Sequence, residues 1–367
     1  MVRFTLNPLA RREAYSAYEA AVVSKASAKA ALAEISSWEG YAPTPLERLK
    51  SAAQQLNLKT ILYKDESERF GLGSFKALGG AYAAMLQLKA RPEPKRQTLC
   101  CATDGNHGRS VAFAARRANC RSVVFMHQHA PEEKALAIRG LGAEVVRVPG
   151  NYDDSVREAE KAARENNWIL IQDTSSDPYD EITCQVMRGY GVLVLELLHQ
   201  MFPGEFPTHV FLQAGVGGLA AAVTGVFADM IGNNRPTAVV VEPDHAACLF
   251  ETAVRLEPVH LAGDLATDMA MLSAGEPSAP AWRILERRAD ALLTIADSEA
   301  HRAREQLQPL DVGVSGAAGF AGLAAAATHP LLRRILGLNE QSRVLVFGTE
   351  ESGQAPPRKT GGVIVLG

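Results

Sequence analysis

The chain has 367 residues, 47% of them hydrophobic and 22% charged, and a formal net charge of −3. That length supports one large domain or two ordinary ones, with a core that needs neither metal nor disulfide. The charge balance has no polybasic run to bind nucleic acid, no run of about 18 apolar residues spans a bilayer, and five cysteines without a Cys-x-x-Cys build neither a disulfide framework nor a zinc site. Met1–Ala10 lack the long apolar core of a signal peptide, so a reducing cytoplasm is expected, with no membrane partner.

The Ala-rich stretch 16–35 reads as a surface helix, and Tyr41-Ala-Pro-Thr-Pro-Leu46 as a rigid extended segment, because two prolines forbid helix there. A regular alternation follows. Strands are expected at 60–63, 98–102, 122–126, 144–148, 168–172, 209–213 and 237–242, with a further buried strand at 343–348. Helices are expected at 77–89, 107–118, 131–140, 155–166, 219–230 and, as one long element, from 181 to 201. Short β-rich runs alternating with helical runs imply parallel strands joined by right-handed crossovers, hence the α/β class and, from the length, two open sheets. Residues 263–280 and the Gly- and Pro-rich tail 350–360 read as irregular.

Three loops carry chemistry. Ser74-Phe75-Lys76 opens the helix 77–89. The partial positive charge of a helix start disfavours a second cation and so favours the neutral amine, the form that makes a Schiff base. The plain alternative is a surface lysine whose ammonium reaches solvent. Thr103-Asp104-Gly105-Asn106-His107-Gly108 follows a strand and opens a helix, where backbone N–H groups can meet an anion. Asp104 is out of place beside a carboxylate; it is a candidate general base or partner of a cationic substrate group, unless it or Asn106 merely caps the helix. Gly215-Val216-Gly217-Gly218-Leu219, between strand and helix, can wrap a phosphate. It could also be part of a dinucleotide fingerprint with Glu242 as the ribose acid, although Ala220 stands where the third glycine belongs.

Taken together and in this order, the lysine, the Asn-His loop and the glycine loop resemble the fold-type II pyridoxal phosphate enzymes, the group of the tryptophan synthase β subunit and the threonine dehydratases. The resemblance runs from about Tyr41 to Thr349. The stretch Lys64–Gly80, with Ala102–Arg109, Gln172–Thr174, Gln213–Gly217, Val241–Asp244 and Ser273–Pro277, is similar to the diaminopropionate ammonia-lyase branch.

The resemblance implies two parallel-rich twisted sheets flanked by helices. It places a large cofactor domain in 1–88 and 205–367, a smaller inserted domain in 89–204, and two chains in a homodimer. It implies that Lys76 carries pyridoxal 5′-phosphate, that Phe75 packs beside the ring and that Asn106 bonds its 3′ oxygen. Gly215, Val216, Gly217, Gly218 and Leu219 would cradle the phosphate, and Thr349 would face the pyridine nitrogen. Asp104 and Asp173 fall where the family distinguishes the stereoisomers of 2,3-diaminopropionate. Lys76 would take the Cα proton from the L isomer and Asp104 from the D isomer, and either aspartate would hold the β-ammonium before ammonia leaves. The aminoacrylate released would hydrolyse to pyruvate and a second ammonia. The chain departs from the family at Val314-Ser-Gly-Ala-Ala-Gly319, where an acid is missing, and at Gly348-Thr-Glu-Glu-Ser-Gly353. These changes keep open a serine or threonine dehydratase or a racemase acting on another β-substituted amino acid. A binding protein without turnover stands further off, and a dinucleotide enzyme furthest.

Overall fold

The computed structural model describes residues 2–103 and 105–353. Its strands are β1 (Phe4–Leu6), β2 (Leu46–Arg48), β3 (Thr60–Asp65), β4 (Thr98–Ala102), β5 (Arg121–His127), β6 (Glu144–Val148), β7 (Ile169–Leu170), β8 (His209–Gln213), β9 (Thr237–Pro243), β10 (Ala291–Ile295) and β11 (Arg343–Gly348). They form a seven-stranded sheet in the order β1-β10-β9-β8-β11-β3-β2 and a four-stranded sheet in the order β6-β5-β4-β7. The smaller sheet is parallel throughout. In the larger, only the edge strands β1 and β2 run antiparallel to their neighbours. The expected α/β class with two parallel-rich sheets therefore holds.

Side chains alternate across a strand, and both faces of these sheets are covered, so the strands read as unbroken apolar runs. Leu62, Val210, Leu212, Val240, Leu292, Leu345 and Phe347 of the large sheet share one buried cluster with Leu99, Cys101, Val124 and Met126 of the small sheet. The alternate residues Ile61, Tyr63, Phe211, Val239, Val241 and Leu293 pack in a second cluster, with the small-residue helix Val314–Thr328. The outer face of the small sheet, with Cys100, Ala102, Val123 and Phe125, meets Ala159 and Ala163 of the helix Tyr152–Asn166.

The stretch expected as one long helix from 181 is two, Glu181–Tyr190 and Val192–Gln200, separated at Gly191. Both lie against Lys25–Ile35, and also against the helix Gly218–Ile231. The expected helix 16–35 likewise divides at Val23–Ser24, where the Ser24 hydroxyl caps the second piece, and Ala28, Ala31 and Ile35 are buried. The strand expected over 168–172 is limited to Ile169–Leu170.

A buried ion network fixes the run between β3 and Lys76. Lys64 donates to Glu196 Oε2 at 2.7 Å, and Arg69 donates to both oxygens of Glu196 at 2.8 Å and to both oxygens of Glu66 at 2.8 Å. Lys64, Glu66, Arg69 and Glu196 are all buried. Among the described residues, no helix is long and apolar enough to cross a membrane, and no cluster of His, Cys, Asp or Glu could hold a metal ion. All five cysteines are free, four of them buried and Cys120 half-buried.

Candidate active site

Five segments meet, and each leaves the carboxyl end of a parallel strand, where open α/β sheets bind ligands. β3 leads to Lys76, β4 to Asn106, β7 to Asp173, β8 to the glycine loop and β11 to Thr349. Backbone bonds knit them: Phe75 N–H donates to the Thr349 carbonyl at 3.2 Å, and Glu351 N–H to the Gly73 carbonyl at 2.9 Å.

Lys76 stands at the start of a π-turn, Ala77–Ala81, that continues into the helix Tyr82–Lys89. Its Nζ lies 2.6 Å from Asp173 Oδ2, and the two side chains are 22% and 16% exposed, so the pair still reaches open space. Burial alone would push the Lys76 ammonium down, but the Asp173 carboxylate outweighs it and holds the group above the ordinary lysine range. Burial would likewise raise Asp173, and Lys76 and His107 together hold it well below the usual carboxylate value. The field of the helix start therefore does not leave a neutral amine here. Asp173, expected to help hold the substrate's β-ammonium, is also the partner of Lys76.

Phe75 packs on Tyr190, ring centroids 4.7 Å apart, and Lys76 Nζ is 5.5 Å from the Phe75 centroid and 5.9 Å from that of Tyr190. Tyr190 reaches this place because Gly79 and Gly189 let the π-turn and the helix Glu181–Tyr190 touch. A Cβ on Gly79 would stand 2.4 Å from the Tyr190 ring, and one on Gly189 would stand 1.9 Å from the Leu78 carbonyl oxygen. Burial, with Asp173 adding to it, raises the Tyr190 phenol well above its usual range, so it stays a hydrogen-bond donor. Its hydroxyl is buried, with the Lys76 amine within its reach.

Asn106 begins the helix Asn106–Ala118, and its Nδ2 donates to Glu350 Oε2 at 2.8 Å. The turn before it is tied by Thr103 Oγ1, which accepts from Gly105 and Gly108 N–H at 2.9 and 3.2 Å. His107 bonds the Ile171 carbonyl through Nε2 at 2.8 Å and turns Nδ1 toward Asp173, 3.8 Å away. Asp104 lies outside the described residues.

Gly215–Leu219 runs from β8 into the helix Gly218–Ile231, with Gly217 at φ 98°. The N–H groups of Gly218, Leu219 and Ala220 open the helix and meet no backbone carbonyl among the described residues. Thr349 is 5% exposed, and its hydroxyl accepts from Gln213 Nε2 at 3.0 Å, which leaves the hydroxyl proton free to be given elsewhere. Glu242, the acid a dinucleotide reading needs, is fully buried and accepts from Leu249 and Phe250 N–H at 2.8 and 2.7 Å. Both of its oxygens are taken up by the start of the helix Cys248–Arg255.

These residues fit pyridoxal phosphate. A reachable lysine amine, a ring of unspent N–H donors at a helix start, a buried phenol beside the lysine and the hydroxyl of Thr349 match an aldehyde, a phosphate and a heteroaromatic ring. The structure brings together Lys76 and the loops that the sequence singled out. Sequence reasoning missed Tyr190 and Gln213 as parts of the site, and Glu350 as the partner of Asn106. Gln213 begins a stretch already quoted for the resemblance and Glu350 follows Thr349 directly, and those positions were the available signal.

This fold and site are those of a pyridoxal phosphate enzyme, and the chain belongs to the pyridoxal-phosphate dependent enzyme family, whose model matches residues 37–349. It is 38% identical over 337 residues to diaminopropionate ammonia-lyase of Escherichia coli strain K12, which covers 85% of each chain. The enzyme of the same name from Salmonella typhimurium strain LT2 is 37% identical over 345 residues, 84% of this chain and 85% of that one. The crystal structure of the Escherichia coli enzyme with an aminoacrylate–PLP azomethine reaction intermediate superposes with a TM-score of 0.88 at 35% identity, over 96% of this chain and 94% of that one.

Proposed function

We propose that this chain eliminates ammonia from 2,3-diaminopropionate: with one water consumed, the products are pyruvate and two ammonia. The observation that carries the reading is the Lys76–Asp173 pair at 2.6 Å, in a chain this similar to the ammonia-lyases. Bound pyridoxal phosphate supplies the electron sink that makes a Cα proton removable. Lys76 would hold the cofactor through its amine and would take the Cα proton of the L isomer. Asp104 takes that of the D isomer. Asp173, kept ionised by its surroundings, attracts the β-ammonium and sets it for departure. Phe75 would pack on the ring, Asn106 would bond the 3′ oxygen, Gly215–Leu219 would bind the phosphate, and the Thr349 hydroxyl would face the pyridine nitrogen as a hydrogen-bond donor.

The same reading takes 1–88 with 205–367 as the cofactor domain and 89–204 as the inserted one. Sheet membership supports this, and the helices of 181–200 pack on elements of the first unit. It also takes the enzyme as a cytoplasmic homodimer, which light scattering and cell fractionation test. The second reading is a dehydratase or racemase for another β-substituted amino acid. It is favoured by Ala317 and Ala318, buried and apolar at the stretch where the family carries an acid.

The test is a visible spectrum and a pyruvate assay on D- and L-2,3-diaminopropionate, serine and threonine. The expected result is a band near about 410–420 nm that Lys76→Ala abolishes, with pyruvate formed from diaminopropionate. Pyruvate from serine or threonine alone would select the second reading, and no band after added cofactor would overturn both.

A further inference from the structure

The carboxyl of Glu350 is buried at the meeting point of the two sheets' helices. Its backbone is pinned: Gly313 N–H donates to the Glu350 carbonyl at 3.0 Å, and Glu350 forms a β-bridge with Ser74. Neighbouring residues on the same run bond Phe75 and Gly73, so the segment that carries Glu350 also clamps the segment that carries Lys76. From this mount Glu350 Oε2 accepts one N–H of Asn106, at 2.8 Å. Ser315 is within bonding reach of the same carboxyl, and Lys134 and Lys76 act on it by charge.

An Asn amide has two N–H donors and one oxygen. With one donor fixed on Glu350, rotation about the last side-chain bond is stopped, and the second N–H has a set direction. Glu350 thus ties a residue on the small sheet's helix Asn106–Ala118 to the loop after β11 of the large sheet.

We propose that Glu350 is a positioning residue that aims the Asn106 amide at the 3′ oxygen of the cofactor, and so couples that hydrogen bond to the placement of Lys76. This rests on the reading of Asn106 given above. Removing the acceptor frees the amide, weakens the bond to the 3′ oxygen and shifts the balance between the cofactor's tautomers.

The experiment compares holoenzyme with Asn106→Ala, Glu350→Ala, Glu350→Gln and the double variant Asn106→Ala/Glu350→Ala. It reads the ratio of visible to near-ultraviolet cofactor absorbance and the cofactor dissociation constant. Glu350→Ala and Asn106→Ala are expected to lower the ratio alike and to weaken cofactor binding about tenfold each, the scale of one hydrogen bond to a charged oxygen. The double variant is expected to be no worse than either single one, the mark of two residues acting as a unit. Glu350→Gln, which keeps an acceptor, holds the wild-type ratio. Where Glu350→Ala fails to fold, Glu350→Asp takes its place: it keeps the charge, withdraws the carboxyl by one methylene and is expected to lower the ratio as well. A wild-type ratio in Glu350→Ala or its replacement, beside a changed ratio in Asn106→Ala, overturns the proposal alone. So do effects that simply add, or a Gln variant as impaired as the Ala variant. An unchanged ratio in Asn106→Ala overturns the reading of Asn106, and this proposal with it.

Discussion

At the level of single residues, the contest at Lys76 is decided by magnitudes. A helix start acts on a nearby charge by about 0.3–1 kcal/mol, while a hydrogen bond between charged groups contributes about 1.5–3 kcal/mol. Asp173 at 2.6 Å therefore wins, the more so because the first turn after Lys76 is a π-turn with poorer alignment of its peptides. The sequence could single out the lysine and the glycine loop as candidates because each lies in a run of neighbouring residues. Tyr190 could not be singled out in this way, because it is brought to Lys76 by the packing of two glycines far apart in the chain. Glu242 carries a prediction at this scale. Burial raises its carboxyl from 4.5 to about 8, against the pull of two backbone N–H groups. The folded state thus keeps a proton that the unfolded state releases. The stabilisation is fully present below the ordinary glutamate value, falls by up to about 1.4 kcal/mol per pH unit, and is lost as pH rises through 8. Urea unfolding followed from pH 4.5 to 8 is expected to show this fall in the wild type, and a flatter profile in Glu242→Gln.

Among the elements, the alternation was readable through β9 and again at β11, whereas the helices Cys248–Arg255, Ala279–Arg288, Asp297–Gln306 and Val314–Thr328 were not anticipated, the last being small and apolar nearly all round. Most strands of the parallel ladders announced themselves as apolar runs between turns, but β10, which pairs in parallel with β9, was not anticipated. β1 and β2, three residues each, carry too little pattern to be seen, and they lie on the sheet's edges where only one neighbour enforces pairing. Gly191 and Ser24 each divide a segment that periodicity would continue, since apolar spacing persists across both breaks. The contact between the π-turn and the helix Glu181–Tyr190 is the one most exposed to substitution. Gly189→Ala would put a methyl against the Leu78 carbonyl oxygen, so the two elements must separate. Overpacking of this kind costs about 1–3 kcal/mol, seen as a lower unfolding midpoint. Because Lys76 and Tyr190 sit on the two sides of that contact, the loaded variant is also expected to release cofactor faster on gel filtration.

Across the whole molecule, the two sheets share a core, and the ion network between β3 and the helix Val192–Gln200 anchors the approach to Lys76. No sequence pattern marks it, since Lys64, Glu66, Arg69 and Glu196 are drawn from a strand, a loop and a helix. Glu196→Ala leaves Lys64 without its buried counter-ion and takes one of two from Arg69. The expected loss is about 3–5 kcal/mol of folding stability, measured by denaturant unfolding, whereas an exposed pair such as Arg121–Glu144 is worth under about 1 kcal/mol. The strand order has a consequence in time. β11 lies between β8 and β3, so the centre of the large sheet is supplied by residues 343–348, long after the strands on either side have been made. A ribosome that has released only the first 342 residues holds the sheet as two unjoined parts, β1-β10-β9-β8 and β3-β2, each with an open apolar edge. During synthesis, then, the lysine is present early and its site late. For most of that interval the chain depends on whatever in the cell shields unfinished sheet edges from one another.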